Sequence, residues 1–385
     1  MSRTIFCDQG ETCGGAERFL IDFLSACSPA DIRRLNPVIV GGKSAEYRQL
    51  LPESIEVIDF DFPSVSGGVI RKFVAIFKLF SAARKFRKLS SELKATMIFT
   101  NTPRTHFVVF LARKFFFCGG KWTAFFHDFT TRPKFLLRAV CHSAEVLAVN
   151  SLPTRKFLRN RISKKLFPKI QIVENGIDFK KIEACEPPHK LENLLVLGRI
   201  DPRKGQIFAI QAASILQEKF PNLKFKIVGS PFTGDKRTMK YAAKIRILAK
   251  EKKCTNVEFI EEVGDPFAEI RKADALLVLS TEPETFGRVV IEGLACSRFV
   301  LAFDETGPSE ILQNFEQFCL KKIDKKTLPS IRIEKQSLEN LVEKIQFFAQ
   351  DFPATKIFTD NSREFVEKTF SLDTTKKRLL NLLLP

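Results

Sequence analysis

No apolar run in this sequence approaches the ~20 residues that a membrane-spanning helix needs; candidates such as residues 107–112 are far too short. Asp8 and Glu11 stand where a secretory signal would need an apolar stretch, so no such signal is expected. The nine cysteines include no Cys-x-x-Cys pair, and neither a zinc-like His/Cys cluster nor a His-Glu-x-x-His helix occurs. An odd, dispersed set of thiols in a chain of this size reads as reduced, buried cysteine in a reducing compartment. A Gly-x-Gly-x-x-Gly turn is also missing, which argues against a dinucleotide-binding oxidoreductase. Gly42-Lys43-Ser44 resembles the end of a phosphate loop, but Pro37 occupies the position of that loop's first glycine. Tryptophan and tyrosine are scarce: 39 of the 42 aromatic residues are Phe, which suits core packing as readily as base stacking.

What is present begins with charge. Residues 1–185 carry 30 basic and 16 acidic residues, a net of +14, whereas residues 186–385 carry 32 and 28, a net of +4. The asymmetry points to an anionic partner for the first half: nucleic acid, an anionic membrane surface or an acidic substrate.

Short apolar runs then alternate with helix-length segments. Strands are expected at residues 5–7, 37–40, 55–58, 96–100, 122–126 and 146–149, with helices at 16–25, 70–93, 105–117 and 135–142. Pro187-Pro188 punctuates the chain near its middle, and the alternation restarts at strand 194–197 and continues to strand 299–302. Such alternation predicts βαβ units and parallel sheets, hence an α/β protein of two Rossmann-like domains facing a central cleft. The expected division is 1–185, 186–361 and a terminal helix in 362–385.

Open parallel sheets bind ligands at the carboxyl ends of their strands, and three segments fall there. Gly10 to Arg18 contains Gly14-Gly15 between a strand and a helix, where free amides favour phosphate; a plain strand–helix turn is an equal reading of this segment taken alone. Gly198 to Gly205 follows a strand and carries Arg199, able to fork onto phosphate, and Lys204, a compact charge; two converging cations suit a diphosphate. Glu284-Thr285-Phe286-Gly287-Arg288 leads to Glu292, and a carboxylate matches adjacent sugar hydroxyls.

Together these segments resemble the retaining glycosyltransferases of the GT-B fold, specifically the large family 4. The resemblance runs over nearly the whole chain in the family's motif order: Gly14-Gly15-Ala16-Glu17, Phe126-His127-Asp128, Glu174-Asn175-Gly176-Ile177-Asp178, Gly198-Arg199 with Lys204-Gly205, Glu284 with Glu292, and Gly307-Pro308-Ser309-Glu310. It implies a metal-independent hexosyltransferase that uses a nucleotide-diphosphate sugar as donor substrate and no cofactor. Arg199 and Lys204 would grip the diphosphate, Glu284 the transferred sugar and Glu292 the ribose, with Phe286 and Gly287 in the same donor loop. Amides of Gly14 and Gly15 would close over the phosphate or acceptor, and His127 would lie beside the donor sugar and the acceptor. The expected acceptor is a glycan or lipid-linked molecule of envelope polysaccharide or glycolipid synthesis. The chain departs from the family at Glu261-Glu262, where a glycine often follows the strand, and at Leu279-Ser280, which lacks the usual proline.

Three alternatives compete. Asp59-Phe60-Asp61 fits the Asp-x-Asp metal motif of a different glycosyltransferase fold. A sugar-nucleotide epimerase or hydrolase could share the architecture, and a basic nucleic-acid-binding protein would account for the charge, although no compact nucleic-acid motif appears. The basic residues have another reading. Arg71, Lys72, Lys78, Arg84, Lys85, Arg87 and Lys88 accompany Phe73, Phe77, Phe80 and Phe86 on one helix, and Arg155, Lys156, Arg159, Arg161, Lys164 and Lys165 form a second cluster. They suit a solvated helix face, or peripheral binding of a cytoplasmic enzyme to the anionic cytoplasmic face of a membrane.

Overall fold

The computed structural model describes residues 3–11, 14–64, 69–129, 134–261, 263–323 and 326–384, with side chains left out for 69–74. The side chains of Arg71, Lys72 and Phe73, and all of Glu262, therefore lie outside the described residues.

The chain forms two compact units: Met1–Gly176 with Leu372–Pro385, and Ile177–Ser371. The first holds a seven-stranded sheet built from β1 (Arg3–Asp8), β2 (Pro37–Gly41), β3 (Glu56–Ile58), β4 (Ala95–Thr100), β5 (Lys121–Phe126), β6 (Val146–Val149) and β7 (Ile170–Ile172). Every pairing is parallel, in the order β3-β2-β1-β4-β5-β6-β7. The second unit holds β8 (Asn193–Leu197), β9 (Lys224–Val228), β10 (Val257–Ile260), β11 (Ala275–Val278), β12 (Phe299–Phe303) and β13 (Arg332–Ile333). These are again all parallel, in the order β10-β9-β8-β11-β12-β13.

Both faces of each sheet are covered, which is why β2, β11 and β12 read as unbroken apolar runs. Alternation along β1 shows how the first sheet divides its core. Ile5 and Cys7 face one cluster with Val38, Val40 and Ile98, while Phe6 faces the other with Ile39, Phe99 and Phe125. The second cluster is completed by Leu379 and Leu383 of the helix Leu372–Leu383, which packs on the helix Gly15–Ala26.

Turn chemistry starts the helices. Ser28 forms a capping box with Asp31 ahead of Pro29, and Asp235, Asp265 and Ser337 each accept a hydrogen bond from an amide of the helix they precede. The units divide at 176/177 and 371/372, where 185/186 and 361/362 were expected. Ile177 bridges to Ser371 and its amide bonds to the Phe370 carbonyl, so the segment after Gly176 and the helix Phe352–Thr369 both belong to the second unit. The terminal helical run is accordingly two helices, broken at Phe370, which packs against Phe286 and Phe365.

Candidate functional site

In each sheet the strand order reverses between two neighbours, β1 and β4 in the first and β8 and β11 in the second. Loops leaving such neighbours diverge and leave a crevice at their carboxyl ends.

In the second unit that crevice is a pocket of about 310 Å³, lined among others by Arg199, Asp201, Arg203, Lys204 and Glu284. Glycines shape the loop after β8. Gly229 (φ +144°) lies so close that a Cβ would meet the Gly198 carbonyl oxygen at 2.2 Å, and the Gly198 amide bonds to Val228 O at 3.0 Å. Gly205 (φ +64°) ends the turn Pro202–Lys204 and starts the helix Gln206–Leu216.

Asp201, with its side chain 3% exposed, holds this turn. It accepts from the Arg203 amide at 3.0 Å and from the Arg203 guanidinium at 2.6 and 3.0 Å, with Arg237 at 3.5 Å. Burial would raise the Asp201 pKa, but those hydrogen bonds and charges carry it below the usual carboxylate range. Arg203 is thus tied into the loop, whereas Arg199 reaches across the Phe232 ring at 5.7 Å with its side chain exposed.

Lys204 Nζ lies 2.5 Å from Glu284 Oε1, and Ser280 Oγ donates to the same oxygen. Burial pushes the Glu284 pKa up, but the Lys204 charge, its hydrogen bond and that of Ser280 outweigh this, so the pKa is lowered and the carboxylate is ionised. The Glu284 carbonyl is held in turn by the Gly307 amide at 2.9 Å and by Thr306 Oγ1 at 2.6 Å. Of the remaining donor-loop residues, Phe286 is buried and packs edge-on to Phe370 at 5.7 Å, so its ring fixes the loop from beneath. Gly287 (φ +101°) starts the helix Arg288–Ala295 against Pro308, and buried Glu292 accepts from Arg288 Nε at 2.7 Å. Arg199, Lys204 and Glu284 share the pocket; the Phe286 ring faces the core.

In the first unit, Gly14 precedes the helix Gly15–Ala26 with no side-chain cap, and a Cβ at Gly15 would meet nothing within 4 Å. His127 follows β5 and packs on Phe125 and Phe19, with ring centroids 4.0 and 5.3 Å away. Burial, then the neighbouring His106, lowers its pKa to about 3, so the imidazole is neutral. Its Nε2 lies 2.7 Å from Asn101 Oδ1, and Asn101 Nδ2 donates to Asp8 Oδ2 at 2.9 Å.

Sequence reading did not single out Asp201, Asp8 or Asn101 as site residues, and it noted Ser280 only for the proline missing before it. The available signal was position: each is the last residue of a strand or lies within a few residues of one. The Asp-x-Asp carboxylates are engaged elsewhere, Asp59 with Arg48 and Asp61 with Lys43 at 2.5 Å. Among the described residues, no group of three or more His, Cys, Asp or Glu is arranged to hold a metal ion.

Residues 178–365 match the family Glycosyl transferases group 1. The chain is 27% identical over 159 residues to the phosphatidyl-myo-inositol mannosyltransferase of Mycobacterium tuberculosis, covering 40% of this chain and 39% of that enzyme. It is 27% identical over 330 residues to a Campylobacter jejuni N-acetylgalactosamine-N,N'-diacetylbacillosaminyl-diphospho-undecaprenol 4-alpha-N-acetylgalactosaminyltransferase, covering 81% of this chain and 83% of that one. Several curated relatives are matched over only 39% to 58% of their length. The structure of Anabaena HepE in complex with UDP and glucose superposes with a TM-score of 0.77 at 19% identity, covering 100% of this chain and 99% of that one. That likeness shows the GT-B fold.

Proposed function

From a chain that belongs to the group 1 glycosyl transferases through residues 178–365, we propose a retaining, metal-independent hexosyltransferase that moves a sugar from a nucleoside diphosphate to a glycan or lipid-linked acceptor. The observation that carries this reading is the convergence of Arg199, Lys204 and Glu284 on one pocket at the switch point of the second sheet.

As the glycosidic carbon–oxygen bond breaks, negative charge gathers on the departing diphosphate, and fixed cations there stabilise the transition state more than the ground state. Lys204 is held at the pocket by Glu284, and Arg199 extends over Phe232. Glu284, ionised and acceptor-only, takes sugar hydroxyls. Retention follows from attack by the acceptor hydroxyl on the face the diphosphate leaves, the departing phosphate taking the proton. His127 and the amides of Gly14 and Gly15 are assigned to the acceptor side.

A lipid-linked acceptor agrees with the relatives' names and with the surface of the first unit. Residues 62–127 contain 12 Lys or Arg and one acidic residue, Glu92. The helices Val69–Glu92 and Pro103–Phe116 pack together, and beside their exposed lysines and arginines stand Phe77 (76% exposed), Phe80, Phe115 and Phe117 (87% exposed). Aromatic rings among cations suit an anionic bilayer surface. Among the described residues no helix is long and apolar enough to cross a membrane.

The test is thermal stability against UDP-, GDP- and ADP-sugars, followed by turnover and NMR of the product anomer. A shift with one nucleotide, lost in Arg199→Ala and Lys204→Ala, and a retained anomer are expected. An inverted product refutes retention. Donor consumption that needs no acceptor refutes transfer in favour of an epimerase or hydrolase.

A further inference from the structure

The loop between β8 and the helix Gln206–Leu216 carries the cations Arg199, Arg203 and Lys204. Carboxylates hold two of them, Asp201 for Arg203 and Glu284 for Lys204. Arg199 is different: among the described residues its guanidinium forms no ion pair, and it stands exposed beside the Phe232 ring. With no carboxylate to fix it, the placement of this charge depends on the main chain that carries it.

That main chain is tied down at the peptide unit joining Arg199 to Ile200, which is bonded at both polar ends. The Ile200 amide donates to the Ser230 carbonyl at 3.1 Å, and the Arg199 carbonyl accepts from Gln206 Nε2 at 2.9 Å. A planar unit held at both ends cannot rotate, so ψ of Arg199 and φ of Ile200 are set together. One residue earlier, the Gly198 amide is tied to the Val228 carbonyl. Both amides are thus held by backbone at the exit of β9, whereas the carbonyl is held by a side chain.

Gln206 makes its bond at a cost. It is the first residue of its helix and 1% exposed, and its Oε1 has no hydrogen-bond partner among the described residues. A carbonyl only accepts, so the amide nitrogen must face Arg199, and the oxygen is the atom left buried. A buried acceptor without a donor is destabilising, and an apolar side chain of similar size would avoid that penalty. Glutamine does not cap the helix either, because Gly205 occupies that position. What it does that an apolar residue could not is donate to Arg199.

We infer that Gln206 is a positioning residue for the donor grip: by holding the Arg199 carbonyl it aims the Arg199 guanidinium at the diphosphate, without touching the substrate itself. The inference rests on the role proposed above for Arg199.

The test is a double-mutant cycle in the full chain, read by calorimetric affinity for whichever of UDP, GDP and ADP the parent binds, with thermal midpoints alongside. Gln206→Met and Gln206→Leu should each weaken binding roughly tenfold, the scale of one charge-assisted contact, while the midpoint falls by no more than about 3 °C. In an Arg199→Ala background the same substitutions should change affinity by less than about twofold, because the group they aim is gone. A loss that survives in Arg199→Ala overturns the inference and leaves the donor grip standing. So does an affinity unchanged by either variant while Arg199→Ala weakens it. Collapse of the fold in both variants also overturns it, since Gln206 would then be a packing residue. If the parent binds none of the three nucleotides, or Arg199→Ala binds as tightly as the parent, the donor grip itself fails and the role of Gln206 falls with it.

Discussion

Asp8→Asn should stabilise the first unit, and by more at pH 8 than at pH 5. Asp8 is completely buried; desolvation first, then repulsion from Glu17, raises its pKa from 3.8 to about 7 against the opposing hydrogen bonds of Asn101, Gly10 and Tyr47. Between those values the folded chain keeps a proton that the unfolded chain has released. The group's favourable contribution is therefore complete below the unfolded value and is lost as the pH rises through the folded one. At about 1.36 kcal/mol per unit, the loss amounts to about 4 kcal/mol at pH 8 and about 1.5 kcal/mol at pH 5. An amide carries no charge at either pH. The variant's advantage should thus grow by about 2.5 kcal/mol between them, whatever constant its poorer contact with Gly10 costs. His106 and His127 titrate in both proteins and cancel in the difference. The assay is urea unfolding followed by fluorescence of Trp122, the only tryptophan, buried in β5, which reports the first unit. With a slope of about 2 to 3 kcal/mol/M, the variant's midpoint gain should be about 1 M larger at pH 8. Equal gains at both pH values would refute the reasoning, since they would show that Asp8 carries no buried charge.

Three further outcomes are expected. Lys204→Ala should weaken binding of the nucleoside diphosphate that the donor panel selects at least tenfold in calorimetry, about 1.5 to 3 kcal/mol for a charge-assisted contact, and unchanged affinity would remove Lys204 from the grip. Gly205→Ala should destabilise the chain by roughly 3 kcal/mol or more, because its φ is +64° and a Cβ would sit 1.9 Å from the Leu279 carbonyl oxygen; an unaltered thermal midpoint would contradict this. Phe117→Gly should gain about 1 kcal/mol, since Phe117 caps its helix at φ +54°, yet lose affinity for anionic vesicles at low salt. A variant that gains stability and binds vesicles as before would leave the ring without the proposed role.

The alternation of apolar runs and helical segments was legible along the chain because each parallel strand is local in sequence: 146–149 coincides with β6, and 37–40, 122–126 and 299–302 fall within β2, β5 and β12. Arg199 and Lys204 were legible for the same reason, lying in one short loop after a strand. The Asp8–Asn101–His127 set was not. Its members are separated by 93 and 26 positions, and only the strand order β1-β4-β5 brings them together. Phe286 read as a donor-loop residue because the motif gives its place in the chain; the direction of its ring depends on Phe370, 84 residues further on. The unit boundaries were shifted by a comparable distance effect, the bridge between Ile177 and Ser371.

The return of the helix Leu372–Leu383 to the first unit sets an order of assembly. Residues 177–371 are continuous, so the second unit has all its parts once that stretch has emerged from the ribosome. The first unit has its seven strands earlier, yet one side of its sheet still lacks Leu379 and Leu383 against Phe19, Leu20 and Phe23. Closing that layer joins segments about 350 residues apart, including Lys376 to the Ala26 carbonyl, and such a contact is slow to form. The unit begun first is therefore finished last, and until then its apolar seam is open to a chaperone.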